Sequence, residues 1–296
     1  VIGQASKGNL IKVNPAVIKQ EIDGIGSSFT EASAFVLAHL DKNLRAEVME
    51  KIYSDKGANF SLTRTHIGSC DFCIEGKYSY LDKKGDTELI SFGINPDKEG
   101  FDPDKYPGIQ DPSFDLLPMI KEAIEIKNRQ DNDELRIIAS AWTAPPWMKD
   151  IEDYFIKGTK ENNFEGTGGK LKPEYEGTYA DYLIKYLDAY KSEGIDIWGI
   201  TPVNEPHGNN GQWESMHFTP ETQNAFIKKH LGPKLKSSEH SDVKLLIYDQ
   251  NRDGLDEWTD EIYSDPQTSL FVYGAAVHWY ASTVNVYEEV FDRVHD

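Results

Sequence analysis

The sequence carries, at residues 195–206, the stretch Ile-Asp-Ile-Trp-Gly-Ile-Thr-Pro-Val-Asn-Glu-Pro, in which an apolar run leads directly into an acid. The run has the Ile- and Val-rich character of a parallel strand that is covered on both faces. Proline has no backbone N–H and cannot continue a strand ladder, so Pro206 leaves Asn204 and Glu205 at the carboxyl end of the strand. We therefore predict a buried strand over 195–204 that delivers a carboxyl group to the edge of a sheet.

Further apolar runs of this kind alternate with helical patterns along the chain. The predicted strands cover residues 21–29, 59–66, 135–142, 195–204, 243–249 and 271–280, and the predicted helices cover 31–54, 113–127, 175–192, 220–236 and 257–264. Such an alternation implies parallel pairing with right-handed crossovers. Because we find no Gly-rich nucleotide turn and no reversal of strand order, it favours an α/β fold of the (β/α)8 TIM-barrel type over a doubly wound sheet.

The first predicted helix is a single element over residues 31–54. Its apolar residues recur at every fourth position, in the order Val36, Leu40, Leu44, Val48 and Ile52. Residues at this spacing share one face of a helix, so we expect the stripe to be buried against the barrel.

A closed barrel needs eight strand–helix units, and the sequence up to residue 296 supplies about six. We therefore expect the chain to end before strands seven and eight. Two long segments, 68–112 and 149–173, follow the second and third predicted strands. Since barrel active sites are built at the carboxyl ends of the strands, we expect these segments to form walls of a site.

The charge of the chain argues against several kinds of partner. There are 31 Lys and Arg against 50 Asp and Glu, a net charge of −19. A nucleic acid needs clustered basic residues to displace its counterions, so no nucleic-acid partner is expected. We find no apolar run long enough to cross a bilayer, so no stable membrane insertion is expected.

The two cysteines, Cys70 and Cys73, are separated by Asp71 and Phe72. This spacing is compatible with half of a zinc site, with a redox pair or with two partly buried free thiols. No second Cys-x-x-Cys or His-x-x-x-His pattern supplies further zinc ligands, and no helical pattern follows Cys73, as a thioredoxin-like pair would require. We therefore expect free thiols and no metal site.

A set of short motifs occurs in a fixed order along the whole chain. They are Gly24-Ile25-Gly26, Phe29-Thr30-Glu31-Ala32, Arg64, Ser69-Cys70-Asp71-Phe72, the segment 141–149 around Trp142, the segment 201–206 around Glu205, Phe218-Thr219-Pro220-Glu221 and Ala276-Val277-His278-Trp279-Tyr280. In this order they resemble glycoside hydrolase family 30, the retaining barrel glycosidases that include the glucosylceramidases. The resemblance implies a catalytic TIM barrel over 18–296 and a β-sandwich side domain, of which residues 1–17 would be a stub.

The resemblance also implies roles for individual polar residues. Glu205 would be the general acid/base, and Asn204 would bind the sugar 2-hydroxyl. Arg64 matches the barrel arginine beside the catalytic carboxylates, although a structural ion pair is an equal alternative. Asp71 matches the acid that accepts hydrogen bonds from the distal hydroxyls of the glucosyl unit; its alternative is a solvated loop acid.

Aromatic residues and a histidine complete the expected site. Trp142 and Trp279 end predicted strands and suit sugar platforms, although a Trp at this depth can also fill the top of a barrel. His278 matches a family histidine near the reaction centre, with a buried core histidine as the alternative. Tyr280 matches a tyrosine that can hydrogen-bond the nucleophile. Asp249 would either orient these groups or cap a helix.

A retaining glycosidase needs a second carboxylate about 5–5.5 Å from the first. By the resemblance this nucleophile ends the seventh strand, so we expect no residue of this chain to supply it.

The sequence thus predicts a retaining, glucosylceramidase-like β-glycosidase that hydrolyses a β-glucoside, in a carbohydrate or a glycolipid, by double displacement. No metal or organic cofactor is implied. Within the family, an endo-β-1,6-glucanase or a β-xylosidase is the alternative; from another class, a catalytically inactive carbohydrate-binding protein. A secreted or periplasmic location is implied by the resemblance alone.

Overall fold

A computed structural model describes residues 11–130 and 134–280, together with Val294. Its centre is a sheet of six parallel strands whose order in the sheet equals their order in the chain. The strands are β1 (Ser28–Phe29), β2 (Leu62–Ile67), β3 (Arg136–Ala141), β4 (Gly199–Thr201), β5 (Lys244–Asn251) and β6 (Gly274–His278). A sequential parallel order without reversal is that of a TIM barrel, so the predicted fold class is confirmed, with six of the eight strands in the described residues.

Helices cover the outer face of the sheet. They are α1 (Glu31–Ala38), α2 (Lys42–Tyr53), α3 (Leu116–Asn128), α4 (Glu176–Ser192), α5 (Pro220–Phe226), α6 (Gly232–Ser237) and α7 (Leu255–Ser264). Helix α5 begins as its sequence indicates, with the Thr219 hydroxyl accepting the N–H of Thr222 and Pro220 in the first turn. A π-helix, Ile227–Leu231, joins α5 to α6 at the point where Pro233 has no N–H to continue the α-helical ladder.

The prediction of one helix over 31–54 is wrong, because α1 and α2 are separate helices. The Asp41 carboxylate accepts the backbone N–H groups of Asn43 and Leu44 at 3.0 and 3.2 Å and so starts a new helix. The break changes the direction of the chain, and the predicted stripe loses its common face. Val36 is 63% exposed and Leu44 is 45% exposed, whereas the other three residues of the stripe pack against the core.

Two of the predicted strands are much longer than the observed ones. Within the predicted strand 21–29, only the last two residues pair with β2. Within 195–204, only Gly199–Thr201 is a strand, because Pro202 has no N–H to donate to a neighbour. The four residues ahead of β4 lead into it without forming part of the strand.

The long segment 68–112 is anchored to the barrel by a buried carboxylate. Asp97 accepts hydrogen bonds from the hydroxyls of Tyr78, Tyr80 and Tyr190 at 3.0, 2.6 and 2.7 Å. Tyr190 lies on the buried face of α4, so this network joins the segment to that helix.

Part of the predicted amino-terminal stub lies outside the described residues, namely 1–10. Residues 11–17 are exposed and form no strand, so the assignment of 1–17 to a side domain stays a prediction. Across 11–130 and 134–280, no helix combines the length and the apolar character that crossing a membrane requires.

Candidate active site

A cavity of about 650 Å³ opens at the carboxyl ends of β2 to β6. It is lined by charged, amide and aromatic side chains, namely Arg64, Asp71, Phe72, Trp142, Asn204, Glu205, Asn209, Asn210, Gln212, Trp213, Gln250, Asn251, His278 and Tyr280, together with Gly208. Of the eight site residues predicted from the sequence, all but Trp279 are in this lining. Barrel enzymes have their active sites at this end of the strands, so the position suits catalysis.

Trp279 lies outside the cavity lining, and its side chain is 70% exposed. Its ring packs against the ring of Tyr280, with 5.0 Å between the two centroids. Tyr280 itself reaches the cavity. A role for Trp279 as a sugar platform therefore stays a prediction.

Asp249 is the centre of a buried polar network beneath the cavity. Its Oδ2 atom accepts hydrogen bonds from Arg64 Nη2 at 2.8 Å and from the Thr201 hydroxyl at 2.7 Å, and its Oδ1 atom lies 3.0 Å from His278 Nε2. Arg64 Nη2 also donates to Asn204 Oδ1 at 2.7 Å. Of the two roles considered for Asp249, these contacts favour the orienting one, which stays a prediction. Arg64 combines an ion pair inside the barrel with a direct contact to a predicted sugar-binding residue.

The charge on Asp249 is maintained by its neighbours. Burial by itself would raise the pKa of this carboxyl, but the Arg64 charge and the hydrogen bond with His278 outweigh burial and hold the pKa well below its usual range. Both carboxylate oxygens are occupied, and the residue is only 3% exposed. Asp249 is therefore unavailable to attack a sugar, and the position of the nucleophile beyond this chain stays a prediction.

His278, the last residue of β6, bridges two carboxylates. Its Nδ1 atom lies 3.0 Å from Glu205 Oε1, and its Nε2 atom lies 3.0 Å from Asp249 Oδ1. Ionised Asp249 only accepts hydrogen bonds, so Nε2 donates to it; where Nδ1 also donates to Glu205, the ring is an imidazolium. Burial disfavours this charge, but the two hydrogen bonds prevail and raise the pKa of His278 to about 9.

We expect the stability contributed by His278 to depend on pH. Its pKa rises from 6.5 in a free side chain to about 9 in the folded protein, so its contribution is complete below pH 6.5 and is lost as the pH rises through about 9. The pKa of Asp249 is lowered, so its contribution is present above the ordinary Asp range and is lost on acidification. Thermal unfolding followed between pH 6 and pH 10 should show the alkaline loss, and His278→Gln should flatten it. An unchanged slope in the variant would contradict this assignment.

The backbone at Glu205 and Asp249 is strained. Their φ angles are 49° and 55°, in the left-handed region that residues with side chains seldom adopt. The Glu205 N–H donates to the Asp249 carbonyl at 2.9 Å, so one hydrogen bond joins the two strained residues. The ends of β4 and β5 are thereby linked, and the Glu205 side chain is directed into the cavity.

Asp71 and Trp142 form one wall of the cavity. The indole N–H of Trp142 donates to Asp71 Oδ1 at 3.0 Å, and the guanidinium of Arg64 lies 4.7 Å from the centre of the indole ring. Partial burial raises the pKa of Asp71, and the charges of Glu205 and Glu214 act in the same direction. Trp142 is almost fully buried, so it packs and lines the cavity at the same time.

Sequence reasoning missed two hydroxyl residues of this site. Ser140 accepts from Arg64 Nε at 3.1 Å, and the Thr201 hydroxyl lies 2.7 Å from Ser140 Oγ. The only sequence signal for either residue was that it is a polar residue near the end of an otherwise apolar strand. Phe72, Trp213, Gln250 and Asn251 also line the cavity, and they come from loop and strand-end positions whose orientation no sequence pattern indicates.

The sheet order and the cavity position define a TIM-barrel protein with an active-site cleft at the carboxyl ends of its strands. The chain belongs to glycosyl hydrolase family 30, since the sequence model of the "Glycosyl hydrolase family 30 TIM-barrel domain" matches residues 22–296.

Relatives of this chain include proteins that are named as glucosylceramidases or as endo-β1,6-glucanases. The chain is 33% identical over 270 residues to putative glucosylceramidase 3 of Caenorhabditis elegans, covering 89% of this chain and 46% of that protein. It is 31% identical to lysosomal acid glucosylceramidase of Mus musculus, with 92% and 48% covered. The solved structure of the endo-β1,6-glucanase BT3312 is 30% identical, with a TM-score of 0.73 and 95% and 56% covered. The chain thus spans about half the length of the relatives it matches.

Proposed function

We propose that the protein is a retaining β-glycosidase that acts on β-glucosides by double displacement. The observation that carries the proposal is the position of Glu205, which lies in the cavity just beyond the end of β4, with Asn204 next to it and within 3.0 Å of His278. The wall formed by Asp71 and Trp142 supports it, because a charged acceptor and an indole ring suit the hydroxyls and the C–H face of a sugar. Membership of glycosyl hydrolase family 30 supports it independently.

In this proposal Glu205 acts twice. It first donates a proton to the glycosidic oxygen while a second carboxylate attacks the anomeric carbon, and the C–O bond to the leaving group breaks. It then takes a proton from water, which attacks the resulting glycosyl ester and releases the sugar. The second carboxylate is expected outside this chain, so activity is to be measured on the full-length polypeptide that carries these residues.

Asn204 is oriented to bind the sugar during this reaction. Its Oδ1 atom accepts from Arg64 Nη2 at 2.7 Å, so its NH₂ group is the end that can serve a sugar hydroxyl. The NH₂ group beside the acid/base would donate to the oxygen of the 2-hydroxyl and so fix the sugar against Glu205. The proton of that hydroxyl stays free for an acceptor, and that hydrogen bond would strengthen as positive charge develops at the anomeric carbon.

Two substrates are supported by the relatives. Glucosylceramide fits the names of the worm and mouse relatives and would place the protein in sphingolipid metabolism. The proposed location is secreted or periplasmic. A β-1,6-glucan fits the solved endo-β1,6-glucanase. Hydrolysis rates on glucosylceramide in mixed micelles and on β-1,6-gluco-oligosaccharides separate the two. Sugar binding without turnover of any substrate would instead favour the inactive carbohydrate-binding protein.

The Asp71→Asn variant tests the glucose preference. Xylosides lack the outermost hydroxymethyl group, so a charged acceptor for the distal hydroxyls matters more for glucosides. Removing the charge is expected to lower kcat/KM on an aryl glucoside by about 10- to 100-fold, as for a lost charge-assisted hydrogen bond, and to affect the matching xyloside less. Equal losses on both substrates would show that Asp71 does not make this contact. A faster wild-type rate on the xyloside than on the glucoside would favour a β-xylosidase.

A further inference from the structure

A second cluster of reactive side chains lies next to the active-site wall. A ring nitrogen of His66 and the sulfur atoms of Cys70 and Cys73 all lie within 4.8 Å of one another. His66 is 1% exposed in β2, Cys70 is buried, and Cys73 is half-buried, with both thiols free. The sequence showed only two potential ligands here, and the fold adds a third from the adjoining strand.

The hydrogen bonds of His66 fix its tautomer. Nδ1 lies 2.7 Å from the Gly68 carbonyl, which only accepts, so Nδ1 carries the proton and Nε2 carries the lone pair. The partner of Nε2 is the Glu31 N–H at 3.3 Å, longer than the usual 2.9–3.0 Å. Metal-binding histidines are characteristically held by such a carbonyl on the other ring nitrogen. Burial also lowers the pKa of His66 to about 4, so the ring is neutral at neutral pH.

The two sulfur atoms have the spacing of a metal pair. They are 3.8 Å apart, and two zinc–sulfur bonds of about 2.3 Å at the tetrahedral angle place sulfurs about 3.8 Å apart. Backbone N–H groups point at both of them, from Cys70 to Cys73 Sγ at 3.3 Å and from Phe72 to Cys70 Sγ at 3.4 Å. Such donors stabilise thiolates, which are the forms that bind metals.

We propose that His66, Cys70 and Cys73 bind a Zn²⁺ ion. Two thiolates and a neutral imidazole balance the charge of the ion, so the buried unit carries no net charge. Three protein ligands leave the fourth position of a tetrahedral Zn²⁺ ion to a water molecule. The ion would tie the loop that begins at Cys70 to strand β2 and so steady Asp71 in the cavity wall.

Cobalt(II) is the probe that reports this site without any activity measurement. Titrated into the full-length protein under a phosphine reductant, it is expected to bind one equivalent, show a thiolate-to-cobalt charge-transfer band and be displaced by Zn²⁺. Binding should weaken as the pH falls, because the thiol protons must leave before the sulfurs bind the metal. Saturating Zn²⁺ should raise the unfolding midpoint by about 3 °C or more.

Three variants test whether these side chains bind the metal. Cys73→Ser, at a half-buried position that tolerates the change, should lower the affinity for cobalt(II) by at least 100-fold. His66→Gln should keep the thiolate-to-cobalt band but lower the affinity for cobalt(II) by at least tenfold. The surface histidine variant His230→Gln should bind as wild type does. The proposal would be overturned if no charge-transfer band appeared, or if Cys73→Ser or His66→Gln bound cobalt with wild-type affinity. It would also be overturned if a Cys70–Cys73 disulfide persisted under the reductant.

Discussion

Glu205→Gln is expected to abolish nearly all hydrolysis of glucosides with poor leaving groups. An alkyl glucoside needs a proton on its departing oxygen, and general acid catalysis contributes about 10²–10⁴-fold, so we expect kcat/KM to fall about 10³-fold, or about 4 kcal/mol. A glucoside with a dinitrophenolate leaving group needs little proton donation and should lose far less in its first chemical step. Steady-state kinetics on the two substrates measures the difference.

Matched controls make this result specific to position 205. Glu174→Gln changes the same side chain in an exposed turn outside the cavity and should leave both rates unchanged. In Glu205→Ala, added azide should enter the vacated space and attack the glycosyl ester, giving a β-glycosyl azide with retained configuration. An equal loss on both substrates in Glu205→Gln would refute the acid role, and an α-configured azide product would refute double displacement.

Asp249→Asn is expected to lower the free energy of unfolding by about 3 kcal/mol. The carboxylate is fully buried and offsets the charges of Arg64 and His278, and removing one partner of a buried ion pair leaves the others without compensation. The variant should also lower the pKa of His278, because one of the two carboxylates that hold its proton is neutralised. Denaturant unfolding gives the first quantity, and NMR titration of the imidazole gives the second.

A surface ion pair of the same length is the control for this variant. Lys228 and Asp265 are also 2.8 Å apart, but they lie at the surface, where water screens the attraction. Asp265→Asn should therefore change stability little. Equal effects of the two substitutions, or an unchanged His278 pKa in Asp249→Asn, would show that Asp249 does not act as a positioning residue for His278 and, through it, for Glu205.

Most of the barrel was predictable because its strands are buried on both faces. Largely apolar runs such as 135–142 suit a strand that is covered on both faces, and each of the six predicted runs overlaps an observed strand. The helix break at Asp41 was not predictable from periodicity. An apolar residue every four positions is equally consistent with one helix or with two, and a capping side chain decided between them.

The sequence by itself determined that a strand ends shortly before Glu205 and that this carboxyl group lies at the carboxyl edge of a parallel sheet, because proline and a run of apolar residues act within a few positions of the chain. The tertiary structure alone decided which side chains meet there. The register that pairs Ser140 with Thr201 brings their hydroxyls to 2.7 Å. The bond between Arg64 and Asp249 likewise joins residues 185 positions apart. Such contacts depend on how whole strands align, and a shift of one residue would turn every inward side chain outward.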